Sequence, residues 1–362
     1  MENGPIAALG MMSGTSMDGI DLGLVLTDGE EVYGFGPRLS VAYGEDFRGR
    51  LRSVLGQGAE VAVVSEVERE LTMKHAQAVA EFMRTEDFDA GSIGVIGFHG
   101  HTVLHRPKDQ ISRQIGDGRL LAAETGVRVV SDFRSADIAN GGQGAPLAPL
   151  FHAVIAADMP KPLAVLNIGG IANVTWLGEN GEIVAFDTGP GNALIDDWVL
   201  NATGRPFDGD GQLAGQGTVK AEILEALVAN RYFARPVPKT LDRGDFSEAL
   251  NKVEGLSPAD GAATLTAFSA SAAAHAQEWF PAPPLMWLVT GGGRHNRTLM
   301  TMLGEAVDAA LAPVETVGWD GDFLEAQAFA YLAVRSLRGL PLSLPGTTGV
   351  AEPTTGGVLN RP

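Results

Sequence analysis

Cysteine is absent from the 362-residue sequence, which excludes disulfides, thiolate zinc sites and cysteine nucleophiles together. Long apolar runs are absent as well: no stretch is long enough to span a bilayer, and the first residues do not combine a basic start with a continuous apolar segment. We therefore expect a cytoplasmic protein that does not act at a membrane.

Positive charge is scarce, with 26 Lys and Arg against 44 Asp and Glu, for a formal net charge of −18. Such an acidic surface repels nucleic-acid phosphates and anionic lipids, so neither is expected as a partner. A small anionic ligand remains compatible, because a few local amides and cations outweigh a distant field. The 45% share of hydrophobic residues predicts a substantial core, and the length permits two domains.

The familiar phosphate-binding motifs are also missing. No G-x-x-x-x-G-K-[ST] occurs, and no G-x-G-x-x-G follows a predicted strand and opens a helix. The nearest candidate, GDGQLAG at 209–215, has the wrong spacing and is expected to be a surface turn. A P-loop nucleotidase and a Rossmann dinucleotide site are therefore both disfavoured.

Glycine, by contrast, is abundant, with 47 residues, many of them in predicted turns. The segment GMMSGTSMDGIDLGLVL at 10–26 places glycines, serines and a threonine between predicted strands at 6–12 and 20–27. AVLNIGGIANVTWL at 164–177 repeats the order strand, glycine turn, strand. A third glycine turn, TGGG at 290–293, follows a strand and precedes a helix, so the sequence predicts an internal duplication of architecture.

Glycine turns of this kind suit phosphate, because without a Cβ successive N–H groups can point at phosphate oxygens while Ser and Thr hydroxyls donate as well. We expect the loop at 13–18 and the turn at Gly169 and Gly170 to hold a triphosphate from two sides. TGGG is expected near the nucleoside. Glycine turns are common in hairpins, so the third turn strengthens an inference that two alone would leave weak.

Eight motifs occur in the order that is typical of one known family. They are SGTSMDGID (13–21), HGHT (99–102), DFR…D (132–137), GGQGAP (141–146), NIGGIANV (167–174), FDTGPGN (186–192), TGGG (290–293) and FLEAQAFAYLA (323–333). Across about residues 6 to 335 the sequence closely resembles the anhydro-N-acetylmuramic acid kinase family, which belongs to the actin/sugar-kinase/Hsp70-like superfamily.

The resemblance implies an α/β fold of two actin-like (ribonuclease-H-like) domains with an interdomain active-site cleft. Domain I is expected to comprise residues 1–133 plus the tail at about 345–362, and domain II residues 134–344. The implied reaction uses ATP, Mg²⁺ and water to open the 1,6-anhydro bridge of 1,6-anhydro-N-acetylmuramic acid and to phosphorylate O6. The products are N-acetylmuramic acid 6-phosphate and ADP, in peptidoglycan recycling.

Two carboxylates are predicted to be catalytic. Asp187 matches the family's general base and follows a predicted buried strand, whereas the alternative is that it caps the helix opening near Asn192. Glu325 matches a glutamate that assists the same water, whereas the alternative is a favourable acid near a helix N-terminus. The Mg²⁺ ligands stay unassigned, because the acid that commonly starts the first loop in the superfamily is Gly10 here. The oligomeric state is left open, a homodimer included.

Two sets of binding residues are predicted. The nucleotide set is Ser13, Gly14, Thr15, Ser16, Met17, Asp18, Gly19, Ile20, Asp21, Asn167, Gly169, Gly170, Gly291, Gly292 and Gly293. The sugar set is His99, Thr102, Arg134, Asp137 and Asn192. Within it Arg134 is expected to pair with the lactyl carboxylate, because a guanidinium binds carboxylates in bidentate fashion, and the alternative is an interdomain salt bridge.

The sequence departs from the family pattern at two places. His101 stands where HGQT would have an amide, and Ser135 and Ala136 stand where two arginines are expected. Two rival functions follow from the same superfamily. One is a conventional kinase in which an Asp activates a hydroxyl of an open sugar. The other is a non-catalytic nucleotide switch, which the lack of a long peptide-binding extension disfavours.

Overall fold

The computed structural model describes residues 4–14, 17–56, 60–106, 109–242 and 244–362. Its strands are β1 (Ile6–Met12), β2 (Gly19–Thr27), β3 (Val32–Ala42), β4 (Val95–Phe98), β5 (His101–Arg106), β6 (Ile111–Ile115), β7 (Val129–Ser131), β8 (Leu163–Ile168), β9 (Ile171–Leu177), β10 (Ile183–Pro190), β11 (Met286–Thr290), β12 (Ala310–Pro313) and β13 (Val358–Asn360). Its helices are α1 (Glu45–Ser53), α2 (Val61–Thr85), α3 (Gly118–Thr125), α4 (Ser135–Ala139), α5 (Pro149–Ile155), α6 (Ala193–Thr203), α7 (Ala221–Val228), α8 (Glu248–Lys252), α9 (Pro258–His275), α10 (Arg297–Ala306), α11 (Leu324–Leu337) and α12 (Pro345–Thr348).

The chain forms two compact units: the first combines Met1–Ala157 with Phe323–Pro362, and the second is Asp158–Asp322. These boundaries differ from the expected divisions after residues 133 and 344. The later boundary differs because α11 packs on β1, β2 and β4 and so belongs with the first unit. The earlier one differs because α4 and α5 also belong to that unit, and α5 packs on α11.

The two units repeat one sheet topology. The first contains the order β13-β7-β4-β1-β2-β3, and the second contains β10-β9-β8-β11-β12. In each, three antiparallel strands joined in sequence are followed by two strands that are parallel to the first. This is the ribonuclease-H-like arrangement, so the expected pair of actin-like domains and the expected duplication are confirmed.

Close packing of helix on sheet accounts for several glycines. A Cβ at Gly10 would lie 1.7 Å from the carbonyl oxygen of Ala326, and one at Gly97 would lie 2.0 Å from that of Phe329. Both carbonyls belong to α11, whose residues from Ala326 to Val334 are all buried. The glycines of β1 and β4 therefore let this helix lie directly on the sheet.

One local expectation differs from the structure, and two further elements were not predicted. The segment at 209–215 is partly buried, because Gly211 packs under Thr298, whose hydroxyl donates to the Gly211 carbonyl at 2.7 Å. The tail contains β13, which pairs antiparallel with β7. A separate two-stranded sheet, β5 with β6, begins within the HGHT motif at His101. Among the described residues, no helix combines the length and apolarity that a membrane span requires.

Candidate functional site

The first glycine-rich loop connects β1 to β2. Thr15 and Ser16 lie outside the described residues, whereas Gly14 accepts a hydrogen bond from the Met17 N–H at 3.0 Å. Met17 has a φ of 57°, a left-handed conformation that disfavours a residue with a Cβ, and its side chain is 2% exposed. The buried methionine therefore anchors a locally strained turn, a combination that is common at ligand-binding loops.

Ser13, at the start of this loop, is fixed by two side chains. The Tyr43 hydroxyl donates to Ser13 Oγ at 2.9 Å, and His101 Nδ1 lies 3.1 Å from Ser13 Oγ and 3.2 Å from the Ser13 carbonyl. Because a carbonyl only accepts, Nδ1 carries the ring proton. The single Nδ1–H is shared between the Ser13 carbonyl and Oγ, so Oγ accepts from both neighbours and its own proton is left for a third acceptor.

Tyr43 also holds the end of the loop. Its backbone N–H donates to the Asp18 carbonyl at 2.8 Å, so one residue at the end of β3 ties both ends of the turn. Burial raises the pKa of the Tyr43 hydroxyl, and burial lowers the pKa of His101 to about 4. Both groups are therefore neutral near pH 7, and the donor pattern at Ser13 is fixed.

The other predicted nucleotide-binding residues of the first unit occupy different environments. Gly19 and Ile20 lie within β2, and a Cβ at Gly19 would be 2.5 Å from the Val41 carbonyl oxygen. Asp21 accepts a hydrogen bond from the Ser40 hydroxyl at 2.7 Å, across the β2–β3 pair. The Asp18 side chain, in contrast, is exposed.

The structure brings two predicted sugar residues together. Arg134 Nε and Nη2 lie 3.2 Å and 2.9 Å from His99 Nε2, and Arg134 Nη1 donates to the Gly144 carbonyl at 3.0 Å. Because the guanidinium only donates, His99 Nε2 is the acceptor, and the ring proton is on Nδ1, which faces the Gly100 carbonyl at 3.0 Å. Burial and the Arg134 charge hold the pKa of His99 well below its usual range.

The two remaining predicted sugar residues of this unit contact a loop and a neighbouring strand. Asp137 is 2% exposed, and its carboxylate accepts from the Gly144 N–H and from the Thr348 hydroxyl. It therefore shapes the GGQGAP loop from beneath. Thr102 Oγ1 accepts from Gln114 across the β5–β6 pair at 3.1 Å.

In the second unit, the predicted turn packs against the start of α6. The Gly170 carbonyl accepts from the N–H groups of Gly191 and Ala193, and the Gly169 carbonyl accepts from that of Asn192. Asn192 is the N-cap of α6, and its side chain donates to the Ile168 carbonyl at 3.1 Å. These contacts hold the β8–β9 turn against the FDTGPGN segment.

The TGGG turn follows β11 and lies at the same edge of the sheet as the turn between β8 and β9. Asn167 and Thr290 are register partners in the parallel pair β8–β11. Gly291 has a φ of 77°, and a Cβ there would lie 2.3 Å from Asn167 Oδ1. A Cβ at Gly293 would clash with Ile168, whereas at Gly292 the nearest atom would be Asn192 Nδ2 at 3.8 Å. Gly292 is thus the open position of this turn.

A buried arginine holds that turn from behind. Arg294 Nη1 donates to the Gly291 carbonyl at 2.9 Å, while Nε contacts Glu315 at 2.8 Å and Nη2 contacts Asp322 at 2.9 Å. Its side chain is 3% exposed. Two carboxylates thus compensate the buried charge and orient the turn.

Asp187 lies at an irregularity in β10, where the register with β9 shifts between Asp187 and Gly189. It is 7% exposed, and its Oδ2 accepts from the Leu241 N–H at 2.8 Å. Its backbone N–H donates to the Lys239 carbonyl at 2.9 Å, and its carbonyl accepts from the Tyr232 hydroxyl. The carboxylate is therefore held by the segment at 239–241, and the N-cap of α6 is Asn192.

Glu325 occupies the first turn of α11 and is exposed. It belongs to the first unit, whereas Asp187 belongs to the second. Among the residues that the structure describes, no group of three or more His, Cys, Asp or Glu is arranged to hold a metal ion.

The family model of anhydro-N-acetylmuramic acid kinase matches residues 6–361. The chain belongs to the anhydro-N-acetylmuramic acid kinase family. It is thus an enzyme of the kinase class, as the sequence motifs predicted.

Curated members of the anhydro-N-acetylmuramic acid kinase family are similar over nearly their whole length. The protein of that name from Paramagnetospirillum magneticum is 54% identical, covering 97% of this chain and 98% of its own. The one from Rhodospirillum rubrum is 54% identical, covering 98% and 94%. A solved structure, the activator of 2-hydroxyisocaproyl-CoA dehydratase from Clostridium difficile with bound ADPNP, is 11% identical with a TM-score of 0.49, covering 92% of this chain and 96% of its own.

Sequence reasoning missed three residues that hold predicted site residues in place within one unit or the other. They are Tyr43 at the first loop, Arg294 behind TGGG and Lys239 beside Asp187. Only Arg294, which directly follows the three glycines, had a local signal: a cation beside a glycine turn.

Proposed function

We propose that this enzyme uses ATP and water to open the anhydro bridge of 1,6-anhydro-N-acetylmuramic acid and to phosphorylate O6, giving N-acetylmuramic acid 6-phosphate and ADP. The observation that carries the proposal is the Asp187 carboxylate, buried at the irregularity of β10 and fixed by the Leu241 N–H. Family membership supplies the substrate class. We place the reaction in the cytoplasm, as a step of peptidoglycan recycling.

In the proposed reaction, Asp187 accepts a proton from a water molecule whose oxygen attacks C1 of the sugar. The C1–O6 bond breaks, and the released O6 takes the γ-phosphoryl group of ATP, with ADP as the leaving group. A fixed carboxylate suits this task, because a general base must stay within hydrogen-bond reach of the proton that it removes. Glu325 is proposed to assist the same water.

The glycine turns support the proposed nucleotide site. Ser13 has a hydroxyl proton directed to a third acceptor, which suits a phosphate oxygen, and Gly292 leaves room for a planar base to approach the backbone. Positioning by such donors supplies most of the catalysis in phosphoryl transfer.

The donor set also fits Mg²⁺ that is held mainly by nucleotide phosphates and water. Mg²⁺ keeps several waters and takes one or two carboxylates, so it needs no cluster of acids. Asp18 is the better placed acid, since its side chain is exposed whereas Asp21 accepts from Ser40. When bound, Mg²⁺ would neutralise charge that develops on the transferred phosphoryl group.

His99 and Arg134 support the proposed sugar site. A neutral His99 locks the guanidinium plane through Nε and Nη2, so Arg134 is oriented before a ligand arrives. A pre-oriented guanidinium is suited to the lactyl carboxylate of the substrate.

Isotope labelling separates this reaction from that of a conventional sugar kinase. In ¹⁸O-water the hydrolytic kinase incorporates label at C1, whereas transfer to an already open sugar does not. Because a reducing end exchanges oxygen, unlabelled product incubated in ¹⁸O-water for the same short time is the control. A product without label beyond that control would overturn the proposed ring opening.

Replacing the proposed base tests its role. Asp187→Asn keeps the shape of the side chain but removes its basicity, so kcat should fall by about 100-fold or more while the fold is retained. Phosphorylation of purified 1,6-anhydro-N-acetylmuramic acid measures the effect, with circular dichroism as the check on folding. Full activity in this variant would rule out Asp187 as the base.

A further inference from the structure

Lys239 is a buried cation whose partners are not carboxylates. The residue is 5% exposed, and its Nζ donates to the carbonyls of Tyr232 at 3.3 Å and Phe233 at 3.0 Å. Within the described part of the chain, no carboxylate lies at ion-pairing distance from this amine. Burying a cation without such a partner is unfavourable, so another interaction must compensate it.

Three aromatic rings surround the amine. Nζ lies 4.8 Å from the ring centroid of Tyr232, 4.9 Å from that of Trp279 and 5.7 Å from that of Phe186. These distances are within the range of cation–π attraction, which is strongest when the cation is desolvated. We call Lys239 with these three rings the lysine cage.

The lysine cage is connected directly to Asp187. Phe186 precedes Asp187 in β10, and the Tyr232 hydroxyl donates to the Asp187 carbonyl. The Lys239 carbonyl accepts from the Asp187 N–H, and Leu241, two residues later, donates its N–H to the carboxylate. The segment at 239–241 thus binds both the main chain and the side chain of Asp187, and the buried amine anchors that segment.

We propose that Lys239 is a positioning residue, which through the lysine cage holds the segment at 239–241 in register with β10 and so orients the Asp187 carboxylate toward the water that it deprotonates. The inference rests on the proposed function, because it assumes that Asp187 is the base. In this proposal Lys239 acts on the Asp187 carboxylate indirectly, through the Leu241 N–H.

Because the cation–π contacts require a protonated Lys239 amine, the proposed positioning role should depend on pH. Burial, and secondarily the charge of Arg235, lowers the pKa of Lys239 to about 8, whereas Glu278 raises it. His275 lines the same cavity as Lys239, and the charges of Asp187 and Asp245 act on Tyr232 of the cage. Loss of the proton above this pKa removes the cation–π attraction, so kcat should decline as the pH rises through about 8.

Two substitutions separate positioning from general stability. Lys239→Met keeps the length of the side chain but removes the charge, and is expected to lower kcat on the order of 10- to 100-fold with KM for both substrates changed less than about threefold. Lys239→Arg retains a permanent charge and should restore part of kcat while moving the alkaline decline to higher pH. Lys252→Met, at an exposed lysine at the end of α8, is the matched control and should match the unaltered enzyme.

Combination with Asp187→Asn distinguishes failure of this inference from failure of the proposed function. If Lys239 acts through Asp187, the double variant Asp187→Asn/Lys239→Met should be no slower than Asp187→Asn alone. A Lys239→Met enzyme with unaltered kcat and pH profile, beside an inactive Asp187→Asn enzyme, would overturn the inference and leave the base in place. An active Asp187→Asn enzyme would overturn both. Should Lys239→Met unfold at the assay temperature, the pH profile of Lys239→Arg decides, and an unshifted alkaline decline contradicts the inference.

Discussion

At the scale of single residues, the first glycine loop depends on a tyrosine that lies outside its motif. Tyr43 donates from its hydroxyl to Ser13 and from its backbone to Asp18, and thereby spans a turn that also contains the left-handed Met17. Because both lone pairs of Ser13 Oγ already accept a hydrogen bond, this hydroxyl can form a further hydrogen bond only as a donor. The Tyr43 hydroxyl thus helps to make the Ser13 hydroxyl a hydrogen-bond donor in the proposed nucleotide site.

Removing that phenol should weaken nucleotide binding more than turnover. Tyr43→Phe deletes one donor to Ser13, worth about 1 kcal/mol, so KM for ATP should rise by about fivefold while kcat changes little. Steady-state kinetics with varied ATP measure the change. Tyr33→Phe is the matched control, because Tyr33 is exposed and donates to Asp28. An unchanged KM for ATP in Tyr43→Phe would show that the bond to Ser13 is dispensable.

At the scale of elements, the first unit is organised by the contact of α11 with its sheet. Strands β1 and β4 each present a glycine to the backbone of this helix, and on β2 a Cβ at Gly23 would lie 2.9 Å from the Gln327 side chain. No rearrangement of side chains relieves a contact with a backbone carbonyl. The helix can therefore approach only where the strands lack a Cβ.

Adding a single methyl group under α11 should destabilise the protein. Gly97→Ala places a Cβ against the Phe329 carbonyl, and we expect the free energy of unfolding to fall by about 3 kcal/mol or more. Gly34→Ala, on the edge strand β3 with no atom within 4 Å of the added Cβ, should change it by less than about 0.5 kcal/mol. Denaturant titration of both variants measures the difference, and equal stabilities would contradict the packing argument.

At the scale of the whole molecule, the free energy of unfolding should fall at low pH, because the folded protein buries several histidines. Burial lowers the pKa of His75, His101 and His152 to about 4, and that of His105 to about 3. These histidines all belong to the first unit. In the unfolded chain each would titrate near its usual pKa of 6.5, so the unfolded state binds protons first as the pH falls. The folded state is therefore most stable above pH 6.5, where these histidines are neutral in both states, and it loses stability as the pH falls toward 4.

His75 offers a direct test of this dependence. Its ring packs against Phe98 at 4.9 Å, and its Nε2 has no partner among the described residues. His75→Leu should make the fall of unfolding free energy between pH 6 and 4.5 shallower, by at most about 1.4 kcal/mol per pH unit. Phe82→Leu, at a buried position of the same helix α2, removes no titratable group and should leave the slope as it was. The inference fails if both variants lose stability with pH as steeply as the unaltered chain.

The sequence predicted those features whose signal lies within a few consecutive residues. Strand, glycine turn and strand occur within consecutive residues, so both hairpins and the duplicated topology followed from the pattern. Tyr43 and Lys239 were not predictable, because the predicted site residues that they hold are distant along the chain: Ser13 for Tyr43, and Asp187 for Lys239. Gly10 was interpreted as a missing acid, whereas the structure gives it a steric reason in the contact with α11. The roles of the predicted binding residues stay predictions.

The order of the segments has a consequence for synthesis on the ribosome. The second unit is one continuous stretch, whereas the first needs α11, which is translated after it. The glycine-bearing strands β1 and β4 thus lack their covering helix until the whole second unit has been translated, and the second unit is complete before the first. This reverses the usual sequence, in which the N-terminal domain folds first, and we expect the sheet of the nascent first unit to expose apolar surface until α11 packs on it.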